Sequence, residues 1–427
     1  MSGNLALGID IGTSGVRACA VDGGGNTAGV AAVDMEPPRQ VGPIVEQDPA
    51  VWWEATVAAI GTVGRAIDLS RVRRLAVDGT SGTLLLIDAH GRPCSPGLMY
   101  NDARSAAEAN RVRVVAPPES GAHGASSALA KLLHLTSHGV PVGVCHAVHQ
   151  ADWIAGRLAG RFGVSDENNA LKLGYDPVAR AWPDWFGELE LPHRLLPAVL
   201  VPGALVGRID PDQAAALGLP ADTEIRAGTT DGVAAFIATR AAASGDAVTS
   251  LGSTLVLKLL SDRPVFAAGQ GIYSHRLGDR WLAGGASNSG GAALLAHFTA
   301  EQMAALTPRL DPDCPTGLAY YPLPAPGERF PIADPTLQPC VSPRPPEDAT
   351  FFQGLLEGIA AIEAMGYQRL AALGASRLKR VITIGGGARN DAWTAIRARR
   401  LGVPVTVAEQ TEAAFGTALL ALNGGPP

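Results

Sequence analysis

The chain has 427 residues, 47% of them hydrophobic and 17% charged, with a net charge of −6. That length favours two cores over one, the apolar content excludes a disordered chain, and arginines scattered without a basic stripe exclude a nucleic-acid partner. The N-terminus MSGNLALGID lacks a signal peptide, no uncharged apolar run reaches the roughly 18 residues of a membrane span, and five dispersed cysteines (Cys19, Cys94, Cys145, Cys314, Cys340) form no CxxC, so a soluble cytoplasmic protein is expected.

In chain order, Leu5–Ile11 and Val16–Val21 read as buried strands, and Gly23 to Asn26 (GGGN) makes the following turn. Asp48-Pro49 predicts an N-cap with proline at the first helical position, followed by Val51, Trp52, Ala55, Ala59, Ile60 and Val63 on one face. Strands are expected at Arg74–Val77 and Thr83–Ile87, and helices near Ala103–Val114, Ser127–Ser137 and Ala151–Leu158. Beyond residue 245 come strands around Gly252, a helix after Gly290 and an irregular proline-rich segment from Pro322 to Pro346. A long helix over Thr350–Leu373, the strand Arg380–Ile384, a helix from Asp391, the strand Val403–Val407 and a helix from Glu412 complete the chain. Hairpins alternating with helices predict an α/β architecture in each half, with the boundary in residues 228–245.

One element occurs twice. IGTSGVRACAVD (Ile11 to Asp22) and LGSTLVLKLLSD (Leu251 to Asp262) share a glycine, two hydroxyl residues, an apolar run and a closing aspartate at a constant offset. Two such strand–turn–strand units suggest two lobes closing on one polyphosphate. In the first, Gly12 and Gly15 let backbone N–H groups approach an anion, and Thr13 and Ser14 add hydroxyl donors. Asp10, two residues upstream, suits Mg²⁺ or its water shell. A plain tight hairpin fits DxGTS equally well. The second copy has Ser250 in place of Asp10.

Asp231, in AGTTDGVAAF, is placed to orient a sugar hydroxyl and accept its proton, although an N-cap would explain it in isolation. IGGGARNDAW (Ile384 to Trp393) allows close backbone approach to a base or ribose, with Asn390 as a hydrogen-bonding partner, or is an unliganded glycine-rich turn. Asp78, Thr80 and Ser81 in VDGTSG, and YNDAR (Tyr100 to Arg104), suit a polyol or an ordinary surface turn. His134/His138 and His146/His149 have no third ligand, so solvated or capping histidines are the better reading. No GxxxxGK[ST] occurs, and GGGNTA (Gly23 to Ala28) is a hairpin turn, not a dinucleotide site.

Together these motifs resemble the FGGY carbohydrate kinases of the actin/hexokinase/heat-shock ATPase superfamily. The order GIDIGTSG, DGTSG, YNDAR, SDENNALKLGYD, TTDG, SLGST, GGASNSGG, GGGARN and GVPVTVAEQTEAAFGTALLA runs from Leu5 to about Leu422. DGTSGT, NALKLGY, AVTSLGSTLVLKLL and YYPLPAPGERFPIADP look closest to compact cyanobacterial and plant D-ribulose kinases. The resemblance implies a two-domain actin-like (ribonuclease H-like) fold with duplicated lobes around a central cleft, 1–235 for sugar and metal and 236–427 for nucleotide. It implies Mg²⁺- and ATP-dependent phosphorylation of D-ribulose at its terminal hydroxyl; D-xylulose or L-ribulose, or a non-catalytic sugar or nucleotide sensor, are the alternatives.

Carried over by residue, Asp231, Asp10 and Thr13 are catalytic, with Asp231 the base and both carboxylates at the metal. Ser14, Gly15, Val16, Arg17 and Ser81, with Asp10 and Asp231, face the sugar. Gly12, Thr13, Gly252, Ser253, Thr254, Gly290, Gly385, Gly386, Gly387, Ala388, Arg389 and Asn390 hold the nucleotide. Lys131-Leu132-Leu133-His134 departs from the family's Lys-apolar-x-Trp, and Ala398-Arg399-Arg400 from its Ala-Asp pair.

Overall fold

A computed structural model describes residues 3–426. The chain divides into two compact units: residues 1–240, 275–278 and 412–427, and residues 241–274 and 279–411. The terminal helix expected in the second half therefore belongs to the first unit.

The first unit is built on a six-stranded sheet of β1 (Leu5–Ile11), β2 (Gly15–Val21), β3 (Thr27–Asp34), β4 (Val72–Gly79), β5 (Leu205–Arg208) and β6 (Glu224–Thr230), in the order β5-β6-β4-β1-β2-β3. β1, β2 and β3 pair antiparallel, while β4 lies parallel to both β1 and β6. Every residue of β1 is buried, which is why LALGIDI reads as an unbroken apolar run interrupted only by Asp10. At the edge, β3 keeps none of its residues fully buried. The helix α1 (Pro49–Val63) begins as expected, Asp48 accepting from the Ala50 N–H, and seats Trp52 edge-on against Trp153 at 6.1 Å between ring centroids. A five-stranded sheet that includes Leu84–Asp88 and Val144–His149 packs its own cluster of Leu86, Leu129, Leu132, Leu133 and Phe186.

Two short helices pack together at one side of this sheet. The helix α2 (Asp231–Ala238) starts immediately after β6. It packs on the terminal helix, labelled α5 (Ala413–Asn423), where a Cβ on Gly416 would lie 1.9 Å from the Ala234 carbonyl oxygen.

In the second unit, β7 (Asp246–Leu251), β8 (Leu255–Ser261), β9 (Arg280–Ser287), β10 (Arg380–Ile384) and β11 (Val405–Val407) belong to a six-stranded sheet and run in the order β9-β8-β7-β10-β11. The first three pair antiparallel, and β10 lies parallel to β7 and β11. This is the order and polarity of β3-β2-β1-β4-β6, so the repeated twelve residues are the first hairpin of a duplicated sheet. The turns are not identical: the first ladder ends on Ile11 opposite Val16, the second on Leu251 opposite Leu255.

The long helix α3 (Asp348–Ala372) and α4 (Asp391–Leu401) pack together beside this sheet around Phe351, Phe352, Ile359 and Trp393. Beneath it, fully buried Arg397 grips Glu363 with two bonds of 2.6 and 2.7 Å. Thr249 and Thr383 close the same network. Among the described residues no helix is long and apolar enough to cross a membrane.

Candidate active site

The ends of three neighbouring strands bring the acidic residues of the first unit together. Parallel pairing of β1 with β4 sets Asp10 opposite Asp78, and β4 in turn pairs Asp78 with Thr229, two residues before Asp231. Asp231 is the first residue of α2, and Thr230 occupies the N-cap position. The capping explanation of Asp231 therefore does not hold; its Oδ1 instead accepts the adjacent Gly232 N–H at 2.6 Å. Asn168 and Asn169 brace the approach, donating to the Thr229 hydroxyl at 3.0 Å and the Thr229 carbonyl at 3.2 Å.

Charge in this cluster is only partly compensated. Burial pushes the Asp10 carboxyl up to about 6, repulsion from Asp231 adds to it, and the Asp78 hydrogen bond and Arg17 oppose it. Arg17 lies 3.6 Å from Asp10 and 3.3 Å from Glu412, and half of its side chain is exposed. Asp78 is fully buried and held well above the ordinary carboxylate range by desolvation and by Asp10. Thr417 of α5 donates to its Oδ2, while Oδ1 has no partner.

The turn above Asp10 is tight, and the Gly12 N–H, expected to face an anion, is spent inside it. Gly12 N–H donates to the Gly15 carbonyl at 2.9 Å, Thr13 is half-buried and Ser14 exposed. Strand alternation sends Val16 inward, where its side chain is completely buried in the core, so only its backbone is available to a ligand. In the next turn, Thr80 is held by Thr83 and Gln150, and the buried Ser81 hydroxyl has no protein partner.

Fully buried Lys131 donates to the carbonyls of Gly82 and Met99, at 2.8 and 2.7 Å, tying this turn to the one before Tyr100. The polar YNDAR cluster is spent differently from the polyol reading: Asp102 is completely buried, accepts the Val45 N–H and is gripped by Arg104.

In the second unit, Gly252 and Ser253 are exposed and Thr254 is half-buried. Gly290 has φ 138° and sits so close that a Cβ would meet the Thr254 carbonyl carbon at 2.8 Å, so only glycine fits. Gly385, at φ 87°, opens the third turn with Gly386, and both are exposed. Gly387 and Ala388 are packed inward. Asn390 caps α4 through Oδ1 to the Trp393 N–H (2.9 Å) and donates to Thr307, so its side chain is already engaged.

The groups present fit the expected ligands. Two carboxylates, Asp10 and Asp231, are a magnesium-type donor set, because Mg²⁺ takes one or two carboxylates and completes its shell with water and phosphate oxygens. The unpaired Ser81 hydroxyl suits a polyol, and the exposed glycine–hydroxyl turns suit phosphate oxygens. Among the described residues no group of three or more His, Cys, Asp or Glu is arranged as a metal site. His149 instead pairs with Asp152 and His134 with Glu108.

Comparison with known proteins is decisive. Residues 5–120 match the N-terminal domain, and residues 247–424 the C-terminal domain, of the FGGY family of carbohydrate kinases. The chain belongs to the FGGY family. It is 26% identical to the xylulose kinase of Escherichia coli K12 over 65% of this chain and 59% of that one. A Staphylococcus epidermidis xylulose kinase (strain RP62A) is 22% identical over 98% of this chain and 88% of its own. The crystal structure of xylulose kinase from Rhodospirillum rubrum superposes with a TM-score of 0.85 at 22% identity, covering 99% and 90% of the two chains, which supports the two-domain α/β fold. The alignments with the first curated relatives span between 50% and 59% of those proteins' lengths.

Sequence reasoning placed Asp78 only among weak polyol candidates, and missed Thr417, Asn168 and Asn169 as supports of the site. Asp78 has a signal in the register of two parallel strands, since each ends in an aspartate beside a glycine turn. Thr417 has none, because nothing local marks a threonine in an apolar helix as a partner for a buried acid.

Proposed function

We propose that this FGGY protein is an ATP-dependent kinase that phosphorylates the terminal hydroxyl of a ketopentose. The observation that carries the reading is the convergence of Asp10, Asp78 and Asp231 at the ends of adjacent elements, beside a half-buried glycine–hydroxyl turn with Ser14 exposed. A surface hairpin has no reason to bury Asp10 and Asp78 side by side with half-buried Asp231 next to them.

Asp231 accepts the acceptor hydroxyl's proton, its carboxylate steadied by the Gly232 N–H and the positive end of α2. Asp10, with Asp231, holds the metal. Arg17 balances part of that charge, and Thr13 and Ser14 offer hydroxyls to phosphate or sugar oxygens. Ser81 contributes an unpaired hydroxyl to the polyol. The turns at Gly252–Thr254, Gly290 and Gly385–Gly386 receive the nucleotide. ATP supplies the phosphoryl group, and Mg²⁺ neutralises its charge.

Two acceptors have support. The names of the curated relatives favour D-xylulose, and the DGTSGT, NALKLGY and YYPLPAPGERFPIADP motifs favour D-ribulose. ADP release measured across D-ribulose, D-xylulose and L-ribulose discriminates between them, and absence of turnover with every sugar refutes the kinase reading. Asp231→Asn should lower kcat by about 10²–10⁴-fold while nucleotide binding persists. Near-parental turnover in that variant removes Asp231 from its role as base.

A further inference from the structure

The proline-rich segment from Pro322 to Pro346 has no helix or strand of its own, yet it carries a carboxylate with five donors. Glu328 is 3% exposed. Its Oε1 accepts the backbone N–H groups of Asn288 (2.8 Å), Arg329 (2.9 Å) and Phe330 (3.4 Å). Its Oε2 accepts the hydroxyls of Ser287 (2.5 Å) and Tyr321 (3.0 Å). A linker gains nothing from burying a charge; five converging donors repay that desolvation and fix the backbone that supplies them.

The fixed backbone leads to the glycine–hydroxyl turn. Asn288 also donates to the Gly327 carbonyl at 3.0 Å, and the Ser289 hydroxyl to the Pro322 carbonyl at 2.6 Å, so both sides of the contact are pinned. From there the Ser289 carbonyl takes the Leu255 N–H at 2.7 Å. The carbonyls of Gly252 and Ser253 take the N–H groups of Gly291 and Ala292, at 2.8 and 3.0 Å. The path thus starts on one buried carboxylate and ends on the exposed residues Gly252 and Ser253, not in the core.

We propose that the proline-rich segment is a brace for the nucleotide turn, and that Glu328 is its positioning residue, fixing Ser287–Gly290 and through them the shape of Gly252–Thr254. This rests on the reading that those turns receive ATP. Glu328 touches no substrate and acts through the backbone it holds. Its donor map separates two substitutions. Glu328→Gln keeps an oxygen on the three amides and turns its NH₂ toward two hydroxyls, which can rotate to accept. Glu328→Leu strands all five donors.

Steady-state kinetics at saturating ketose and at saturating ATP read the outcome. Glu328→Leu should raise the KM for ATP by about tenfold or more, with the ketose KM within about twofold of the parent. Glu328→Gln should stay within about threefold for both. A merely structural carboxylate predicts a lower melting temperature with no split between the two KM values, and that result overturns the proposal, as does an unchanged ATP KM. If Glu328→Leu does not fold, Ser287→Ala, which removes one donor and the acceptor of the Ser289 N–H (3.0 Å), is read by the same split. Calorimetric titration with Mg–ADP keeps the two readings apart. A parent protein that binds no ADP refutes the kinase reading, whereas parent and Glu328→Leu binding ADP equally well refute only the brace.

Discussion

Asp10→Asn probes the electrostatic cost of the site and its use together. Asp10 is 6% exposed, and its carboxyl is raised from 3.8 to about 6, first by desolvation, with repulsion from Asp231 adding to it. A carboxyl whose folded pKa is raised binds its proton more tightly in the native state. Its contribution to stability is fully present below 3.8 and is lost as pH rises through about 6. At about 1.36 kcal/mol per pH unit, carrying this charge at neutral pH costs roughly 3 kcal/mol. Asparagine has nearly the same shape without the charge. Scanning calorimetry at about pH 8, without divalent cations, should show the first unit's transition raised by roughly 5–10 °C in the variant. The gain should shrink as pH is lowered below about 6, where the parent protonates. Mg–ATP should stabilise the parent more than the variant, and turnover should be lost. A variant that melts below the parent at pH 8 refutes the argument, since Asp10 would then be a net structural contributor.

Two further substitutions test the supports of each unit. Arg397→Leu leaves Glu363 buried without its bidentate partner and should cost about 3–5 kcal/mol, lowering the second unit's melting transition, while Arg397→Leu with Glu363→Leu should recover most of it. A double variant no more stable than the single one contradicts that account. Gly416→Ala drives a methyl to 1.9 Å from the Ala234 carbonyl, so α5 must move away from α2; a loss of about 1–3 kcal/mol is expected, measured by urea unfolding, with reduced kcat because α2 begins at Asp231.

Much of this was legible in the sequence because it is local. Leu5–Ile11 reads as a strand and is one to the residue. The Asp48-Pro49 start of α1 and the strand Arg380–Ile384 are likewise as expected. Local patterns settle such elements because a proline has one place at a helix start and a continuous apolar run needs cover on both faces. The site is less legible because its parts depend on register. Asp10 beside Asp78 requires knowing that β1 and β4 run parallel and in step. Val16 is expected at the sugar from the family resemblance, but alternation along β2 turns its side chain into the core. Asn390 was expected at the nucleotide, yet its side chain is engaged in starting α4. The proline-rich segment reads only as irregular, with charge and aromatics mixed in PGERFPIADP, because its order comes from one carboxylate and the groups at the end of β9, which no periodicity records.

The duplicated sheets differ in how they treat buried charge, and that difference supports placing the proposed chemistry in the first unit. In the first unit, equivalent positions on β1 and β4 carry Asp10 and Asp78; in the second, the same register on β7 and β10 carries Ser250 and Ile384. The second unit does bury charge, but satisfies it: Glu363 meets Arg397 with Thr249 and Thr383 taking up the remaining bonds, and Glu328 takes five neutral donors. Natural cores satisfy their buried charges unless a ligand does it for them. The first unit's raised Asp10 carboxyl, beside fully buried Asp78, is what a cation-bearing substrate would relieve, and the second unit's satisfied interior would leave its exposed backbone turns for phosphate.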